Sequence, residues 1–242
     1  MVSFQILLLL AAVALTAGFW TNFQIITLMR RYLRVRTSTW INVSNLATEL
    51  LASQKIAGVK IEPLSSMVDD HYDVLRRRLR LSDPTGHSIA ELAMTAQETG
   101  LVIQQVQNPV LFWPFWGLVA LAKLAATIAA IGILLSLLQW VPFFGLALLR
   151  VLPENLTTMG LFTYAWCALA TLPMAYLRWQ TNLQMLSLLR KLPEMKSEPS
   201  EEEMKQLSHM MNTLVWRDVK DVALVLPGII TSIKDWLTQP RR

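Results

Sequence analysis

Residues 1–29 contain no charged side chain. Crossing the hydrocarbon core of a bilayer takes roughly 20 apolar residues in a helix that rises about 1.5 Å per residue, so this run is long enough to span and too apolar for a water-facing surface. A cleaved secretory signal would begin with a cationic segment ahead of its apolar core. Here Met-Val-Ser-Phe-Gln has none, and the apolar run continues past Trp20 to Leu28. The segment reads as an uncleaved transmembrane anchor. Arg30, Arg31, Arg34 and Arg36 follow at once, and a cationic flank of this kind marks the cytoplasmic side. The N-terminus is expected outside and residue 37 inside.

Composition agrees: of 242 residues, 53% are hydrophobic and 16% charged, against about a quarter charged in a soluble domain. A second apolar block, residues 110–149, holds a single charge, Lys123. As one straight helix it would extend about 60 Å, twice a bilayer core, so it must break. Gln139, Trp140 and Pro142 supply an interfacial break, and the aromatic belt of residues 111–116 marks the other surface, which places the second span at 117–140. Lys123 then sits about two turns inside, within snorkelling reach of the headgroups. A third uncharged stretch, 155–177, precedes Arg178, Arg190 and Lys191. Both basic flanks are cytoplasmic only if two spans lie between residues 37 and 177, which makes 142–150 a short outer segment. The expected organisation is an anchor (1–29), a cytoplasmic domain (30–116), two transmembrane helices with a short outer segment (117–177) and a cytoplasmic helical region (178–242).

Within the first cytoplasmic part, Ile41, Leu46, Leu50 and Leu51 recur at helical spacing and predict a helix over 39–57, with Gly58 as its stop. Val59, Ile61 and Leu64 alternate with polar residues, and 74–81 ends in Arg78-Leu79-Arg80-Leu81, which predicts two short strands. Asp83, Pro84 and Gly86 mark a turn, after which helical periodicity returns over 88–107 and ends at Asn108 and Pro109. In the C-terminal part, 179–192 continues the third span as an amphipathic helix and 193–199 is a polar linker. Ser200 and Glu203 form a capping box for a helix with Met204, Leu207, Met211 and Leu214 on one face. The apolar stretch 222–233 is too short to span, is interrupted by Pro227 and Gly228, and reads as interfacial.

Two motifs carry a resemblance. Asp70-His71-Tyr72-Asp73, leading to Leu79-Arg80-Leu81-Ser82, is similar at the same spacing to the DHYDP motif and following strand of the bacterial membrane zinc metallopeptidases of the YugP type. Ala96-Gln97-Glu98-Thr99-Gly100-Leu101-Val102-Ile103-Gln104 resembles that family's AHEVGHAIQ helix in register. The fold this implies is a mostly α membrane protein: three transmembrane helices with a cytoplasmic zincin-like α+β domain containing a short hairpin and a degenerate HExxH helix.

The chemistry of such a family needs two His at i and i+4 on one helical face to hold zinc, and the Glu between them to activate the metal-bound water. Gln97 and Leu101 stand at the two His positions, and of the motif only Glu98 remains. The family's third ligand, an acidic residue just after the last span, aligns with Ala175 in Leu172-Pro173-Met174-Ala175-Tyr176-Leu177. A neutral amide and two aliphatic side chains do not make the usual three-ligand site. The resemblance therefore implies no catalytic residue, metal or cofactor. Gln97, Glu98, Leu101 and Ala175 form a vestigial site, and residues 70–73 form a structural, substrate-flanking hairpin.

Other chemistries lack a pattern. His71, His87 and His209 have no metal-ligand spacing, and neither GxSxG, Walker A nor GxGxxG occurs. Cys167, the single cysteine, allows no intrachain disulfide or Cys-based zinc knuckle and reads as a packing residue. The basic clusters have little aromatic interleaving, which excludes nucleic acid as the natural partner. Arg30, Arg31, Arg34 and Arg36 are candidates for anionic lipid headgroups, and residues 76–80 for a protein interface or the vestigial cleft. Glu98 is expected to be a surface or hydrogen-bonded helix carboxylate. The functional expectation is a non-catalytic membrane pseudopeptidase: a scaffold, regulator or accessory subunit of a membrane complex in a bacterial-type inner membrane, partnered by lipids and by other membrane subunits or an active paralogue. The alternative is an active zinc metallopeptidase with atypical ligands.

Overall fold

The computed structural model describes residues 4–37, 41–63, 70–138, 156–192, 201–225 and 227–231. Its elements, in chain order, are α1 (Phe4–Tyr32), α2 (Val43–Ser53), β1 (Lys60–Pro63), β2 (His71–Asp73), β3 (Arg78–Leu81), α3 (Ile89–Gln107), α4 (Pro109–Leu138), α5 (Leu156–Ala170), α6 (Leu172–Leu189), α7 (Glu201–Leu214) and α8 (Arg217–Ala223). Among the described residues, three stretches are helical, long and apolar enough to cross a membrane: Leu9–Tyr32, Pro109–Ser136 and Leu156–Leu189. Two compact units divide the chain, one of residues 1–22, 115–174 and 217–242, the other of 23–114 and 175–216.

The first unit is packed by small side chains. Ala11, Ala122, Ala126, Ala129, Cys167 and Ala168 share its core with Ile133, Leu161, Tyr164 and Val222. A Cβ added at Gly160 would lie 2.8 Å from Ile133 Cγ1, and one at Gly18 would lie 2.6 Å from Ala223 Cβ. Close backbone approach through small residues is how helices associate where lipid tails are as apolar as leucine. Lys123 is not left to snorkel as the sequence suggested. Its Nζ lies 3.0 Å from Asp221 and 3.5 Å from Asp218, both on α8. Val222 and Ala223 are buried, and the Ala223 carbonyl accepts a hydrogen bond from the Tyr164 hydroxyl. The start of the 222–233 stretch is thus part of a helical core.

In the second unit α3 is the central element. Its N-terminus is closed by a capping box: the Glu91 N–H donates to Ser88 Oγ at 3.2 Å and the Ser88 N–H donates to Glu91 Oε2 at 3.0 Å. From Leu92 to Gln105 every residue is buried, so this helix presents no solvent face, unlike the one-sided helix that periodicity suggests. The sheet has the order β1-β3-β2, with β1 parallel and β2 antiparallel to β3.

Several boundaries differ from the sequence reading. Residues 74–81 are not one strand, because the chain turns between β2 and β3, with Arg77 at φ 51. The sheet consequently has three strands instead of two. Helix α2 starts after an Asn42 cap, whose Oδ1 accepts from the Asn45 N–H at 2.7 Å, and ends at Ser53. The Lys55 N–H donates to the Ala52 carbonyl and the Ile56 N–H to the Leu51 carbonyl, both at 2.9 Å, with Lys55 at φ 55. That double closure terminates the helix before Gly58 is reached. The second apolar helix starts at Pro109, not Gly117, because a proline at the first helical position gives up an N–H that has no helical partner anyway. The aromatic belt of 111–116 therefore lies within α4. The third apolar stretch breaks at Thr171, two residues before Pro173, which has no N–H for the preceding turn. The Ser200 cap, Leu64, and the break and outer segment at 139–150 lie outside the described residues.

A Cβ at Gly100 would lie 2.9 Å from Met185 Cγ and closer still to Thr181 Cγ2, both on α6. Gly100→Ala is therefore expected to destabilise the second unit by about 1–3 kcal/mol, read as a lower thermal unfolding midpoint in detergent. Gly117→Ala, which meets nothing within 4 Å, is expected to leave the midpoint unchanged.

Candidate functional site

A helix buried on every face must find a partner for each polar side chain it carries, since an unmade buried hydrogen bond costs about 1–3 kcal/mol. The polar residues of α3, the buried Thr99 hydroxyl excepted, meet that requirement by binding to three other parts of the second unit. Those bonds build the candidate site.

Glu98 lies at the centre and is 3% exposed. Its Oε2 accepts from the Tyr72 N–H at 3.0 Å and its Oε1 sits 3.3 Å from Arg178 Nη1, itself on α6 and 6% exposed. Each carboxylate oxygen thus has a donor, one from the hairpin and one from α6. Gln97 is one residue earlier on the helix and turns toward α7. Its Nε2 is 3.4 Å from both the Asn182 Oδ1 and the Met211 carbonyl, and Asn182 Nδ2 donates to the same carbonyl at 2.7 Å. Met211 is the fourth-last residue of α7, in the final turn where carbonyls lose their intrahelical donors. Gln97 and Asn182 together cap that helix.

The hairpin is strapped to α3 by the motif at its start. Asp70, 1% exposed, accepts from the Ser82 N–H at 2.6 Å, from Ser82 Oγ at 2.7 Å and from Thr95 Oγ1 of α3 at 3.1 Å. The Tyr72 hydroxyl donates to Gln105 Oε1, and Asp73 Oδ1 accepts from the Arg76 N–H at 3.1 Å to close the turn. His71 stands opposite Arg80 in the register. Burial pushes the Asp70 carboxyl above its ordinary value, against the lowering effect of the Ser82 and Thr95 donors, and the nearby Glu98 charge adds to the rise. Burial likewise raises the Tyr72 phenol.

The four residues singled out as a vestigial site are all buried: Gln97 and Glu98 in the network above, Leu101 further along α3, and Ala175 on α6, three residues before Arg178. Arg30, Arg31, Arg34 and Arg36 are all exposed, at the end of α1 and just beyond it. Arg178 and Asn182 were missed as partners. A basic residue just after an apolar run reads first as a topology signal, and only the approach of α6 to α3 reveals the ion pair.

Residues 6–226 match the family described as "putative neutral zinc metallopeptidase". A stretch of 106 residues, 43% of this chain, is 28% identical to the "Putative membrane protease YugP" of Bacillus subtilis (strain 168) and covers 47% of that relative, about half its length. No solved structure matches the chain. With three apolar helices and this relative, the chain is an integral membrane protein.

The zinc that the family's description implies does not fit the side chains at these positions. Leu101 and Ala175 offer no donor atom, and the Gln97 amide nitrogen is turned to the α7 carbonyl. Arg178 adds a positive charge beside the one carboxylate. Among the described residues, no group of three or more His, Cys, Asp or Glu comes together.

Removing one partner from a buried ion pair leaves the other uncompensated, at a cost of about 3–5 kcal/mol. Arg178→Met is expected to destabilise the fold by that order in detergent thermal unfolding. Adding Glu98→Gln to it should recover a large part of the loss, and independent, additive losses would contradict the coupling. Asp70 also gives a pH signature. With its folded pKa raised, the native state holds a proton that the unfolded chain has released, so stability falls as pH climbs from the ordinary carboxylate range through the raised pKa. The unfolding midpoint should decline across that window, with a shallower slope in Asp70→Asn.

Proposed function

The chain belongs to the putative neutral zinc metallopeptidase family, and on that premise we propose that it is a member that does not hydrolyse peptides. It acts instead as a membrane pseudopeptidase: a scaffold, regulator or accessory subunit of a membrane protein complex. The observation that carries this reading is the occupation of Glu98. A general base of HExxH type must turn its carboxylate to a metal-bound water, whereas both Glu98 oxygens are engaged by Tyr72 and Arg178. A guanidinium 3.3 Å from that carboxylate also opposes a divalent cation at the same place.

On this reading Gln97, Glu98, Leu101 and Ala175 are the remains of a metal site converted to structural use, and no cofactor is required. Residues 30–116 keep the zincin-like frame, with the Asp70–Asp73 motif holding the hairpin to α3. The exposed arginines after α1 support a cytoplasmic position for this part and an outer N-terminus, in a bacterial-type inner membrane. Anionic lipids are the natural partners of Arg30, Arg31, Arg34 and Arg36. The protein partner is another membrane subunit or an active paralogue.

The test uses the full chain purified from native membranes in mild detergent. Zinc content, chelator-sensitive casein cleavage and co-purifying chains are measured on one preparation. The expected result is zinc far below one per chain, no chelator-sensitive cleavage and a reproducible stoichiometric partner. Near-stoichiometric zinc, with chelator-sensitive cleavage lost in Glu98→Gln, would overturn the proposal in favour of an active peptidase with atypical ligands.

A further inference from the structure

A cavity of about 320 Å³ opens where α2 ends, α3 ends, the β2–β3 turn bends back and α4 begins. That is the small end of the range for ligand pockets. Lys55 and Arg77 line it together with Gln105, Val106, Pro109 and Trp113. It meets the polar network of α3 at Gln105 and does not include Glu98 in its lining.

The two cations share an unusual property. Among the described residues, Lys55 at φ 55 and Arg77 at φ 51 are the non-glycine residues with positive φ, and both face this cavity. Lys55 takes the place after α2 that glycine normally fills in this type of helix end. Arg77 is held in the hairpin turn, where its carbonyl accepts from the Lys60 N–H at 3.1 Å. Holding L-residues in the left-handed region costs energy, and such positions gather at ligand clamps. Neither cation has a carboxylate within ion-pair distance among the described residues. Arg78, by contrast, is paired with Glu62 at 3.1 Å. Gln105 is spent on the hairpin, accepting from the Tyr72 hydroxyl and donating to the Val74 carbonyl at 3.4 Å. Recognition therefore falls to the cations, whose complement is an anion.

The surroundings decide which anion. Pro109 opens one of the three helices apolar enough to span a membrane. Of the lining, Trp113 is 41% exposed, and next to lining residues along the chain stand Leu75, two residues before Arg77, at 73% and Val110, directly after Pro109, at 82%. Cations beside exposed aliphatic groups and a tryptophan match the headgroup boundary of a bilayer, where phosphate meets acyl chain. A soluble phosphate would leave that apolar rim in water.

We propose that this cavity is a binding site for the phosphate headgroup of an anionic glycerophospholipid. Lys55 and Arg77 clamp the phosphate, and the exposed apolar residues receive the upper acyl chain. Arg77 thereby gives the basic run at residues 76–80 a defined role.

The test is native mass spectrometry of the full chain in detergent, titrated with phosphatidylglycerol or phosphatidylcholine. The double variant Lys55→Gly, Arg77→Gly removes both charges while glycine relieves the backbone strain, so its thermal midpoint should equal or exceed that of the parent. Each surface cation contributes to anionic lipid binding at a level that makes the pair worth about thirtyfold in affinity. The expected result is phosphatidylglycerol selectivity that falls about thirtyfold in the double variant and about fivefold in each single one. Arg76→Ala, which removes a neighbouring cation outside the cavity, should stay within about twofold of the parent. Equal binding of the two lipids, retained selectivity in the double variant, or an equal loss in Arg76→Ala would overturn the site. Displacement of the lipid by millimolar inorganic phosphate would assign the cavity to a soluble anion and overturn the lipid assignment.

Discussion

The second unit depends on the burial of a charge. Glu98 is placed by α3 where water does not reach, and a carboxylate in such a position is tolerated only when donors replace its hydration. Those donors are the Tyr72 N–H of the hairpin and the Arg178 guanidinium of α6. Satisfying one anion thus draws together three segments that the chain keeps far apart, Glu98 and Arg178 alone being 80 positions apart. Gln97 and Asn182 add the fourth segment by closing the end of α7. The polar side chains of α3 work as connectors: Thr95 to Asp70, Gln104 to Gln184 at 2.9 Å, and Gln105 to the hairpin.

Under the proposed reading this arrangement accounts for how a metallopeptidase frame would persist without a metal. A structural metal supplies both charge and cross-links, and its loss removes both. Under the proposed reading an arginine replaces the positive charge and amide groups replace the cross-links. Gly100 keeps a purely steric role, since the gap between α3 and α6 has no room for its Cβ. The first unit follows different rules. Small residues allow close helix contact, and the ion pair of Lys123 with Asp218 and Asp221 removes the cost of an isolated charge in an apolar span.

Much of the fold was legible along the chain because the signals are local. Apolar runs with at most one charge announced the three apolar helices, and periodic apolar residues over 88–107 announced α3. The short hairpin and the motif at its start were recognised by spacing. The strand reading over 74–81 failed because alternation in Arg78-Leu79-Arg80-Leu81 looks the same whether or not the preceding residues turn. Helix α2 ended early because backbone bonds at Lys55 and Ile56 closed it, in a conformation sequence patterns assign to glycine. Pro109 was read as a stop, although at a first helical position it is also a start.

The sequence by itself determined that the chain is a membrane protein and marked the three apolar helices found among the described residues, and its resemblance to the family raised the expectation that Gln97, Leu101 and Ala175 stand where zinc's donors would be. Those conclusions rest on hydropathy and short spacings, which do not depend on how the chain closes. Tertiary structure alone decided what stands in their place. Arg178 reads in sequence as the basic end of a span and in space as the counter-ion of Glu98. Lys123 reads as a snorkelling side chain and is found paired with α8. Lys55 and Arg77, 22 residues apart, reach one cavity only because a helix end and a hairpin turn meet there. Each outcome depends on which distant partner is available to a group that cannot remain unsolvated, and no local pattern encodes that.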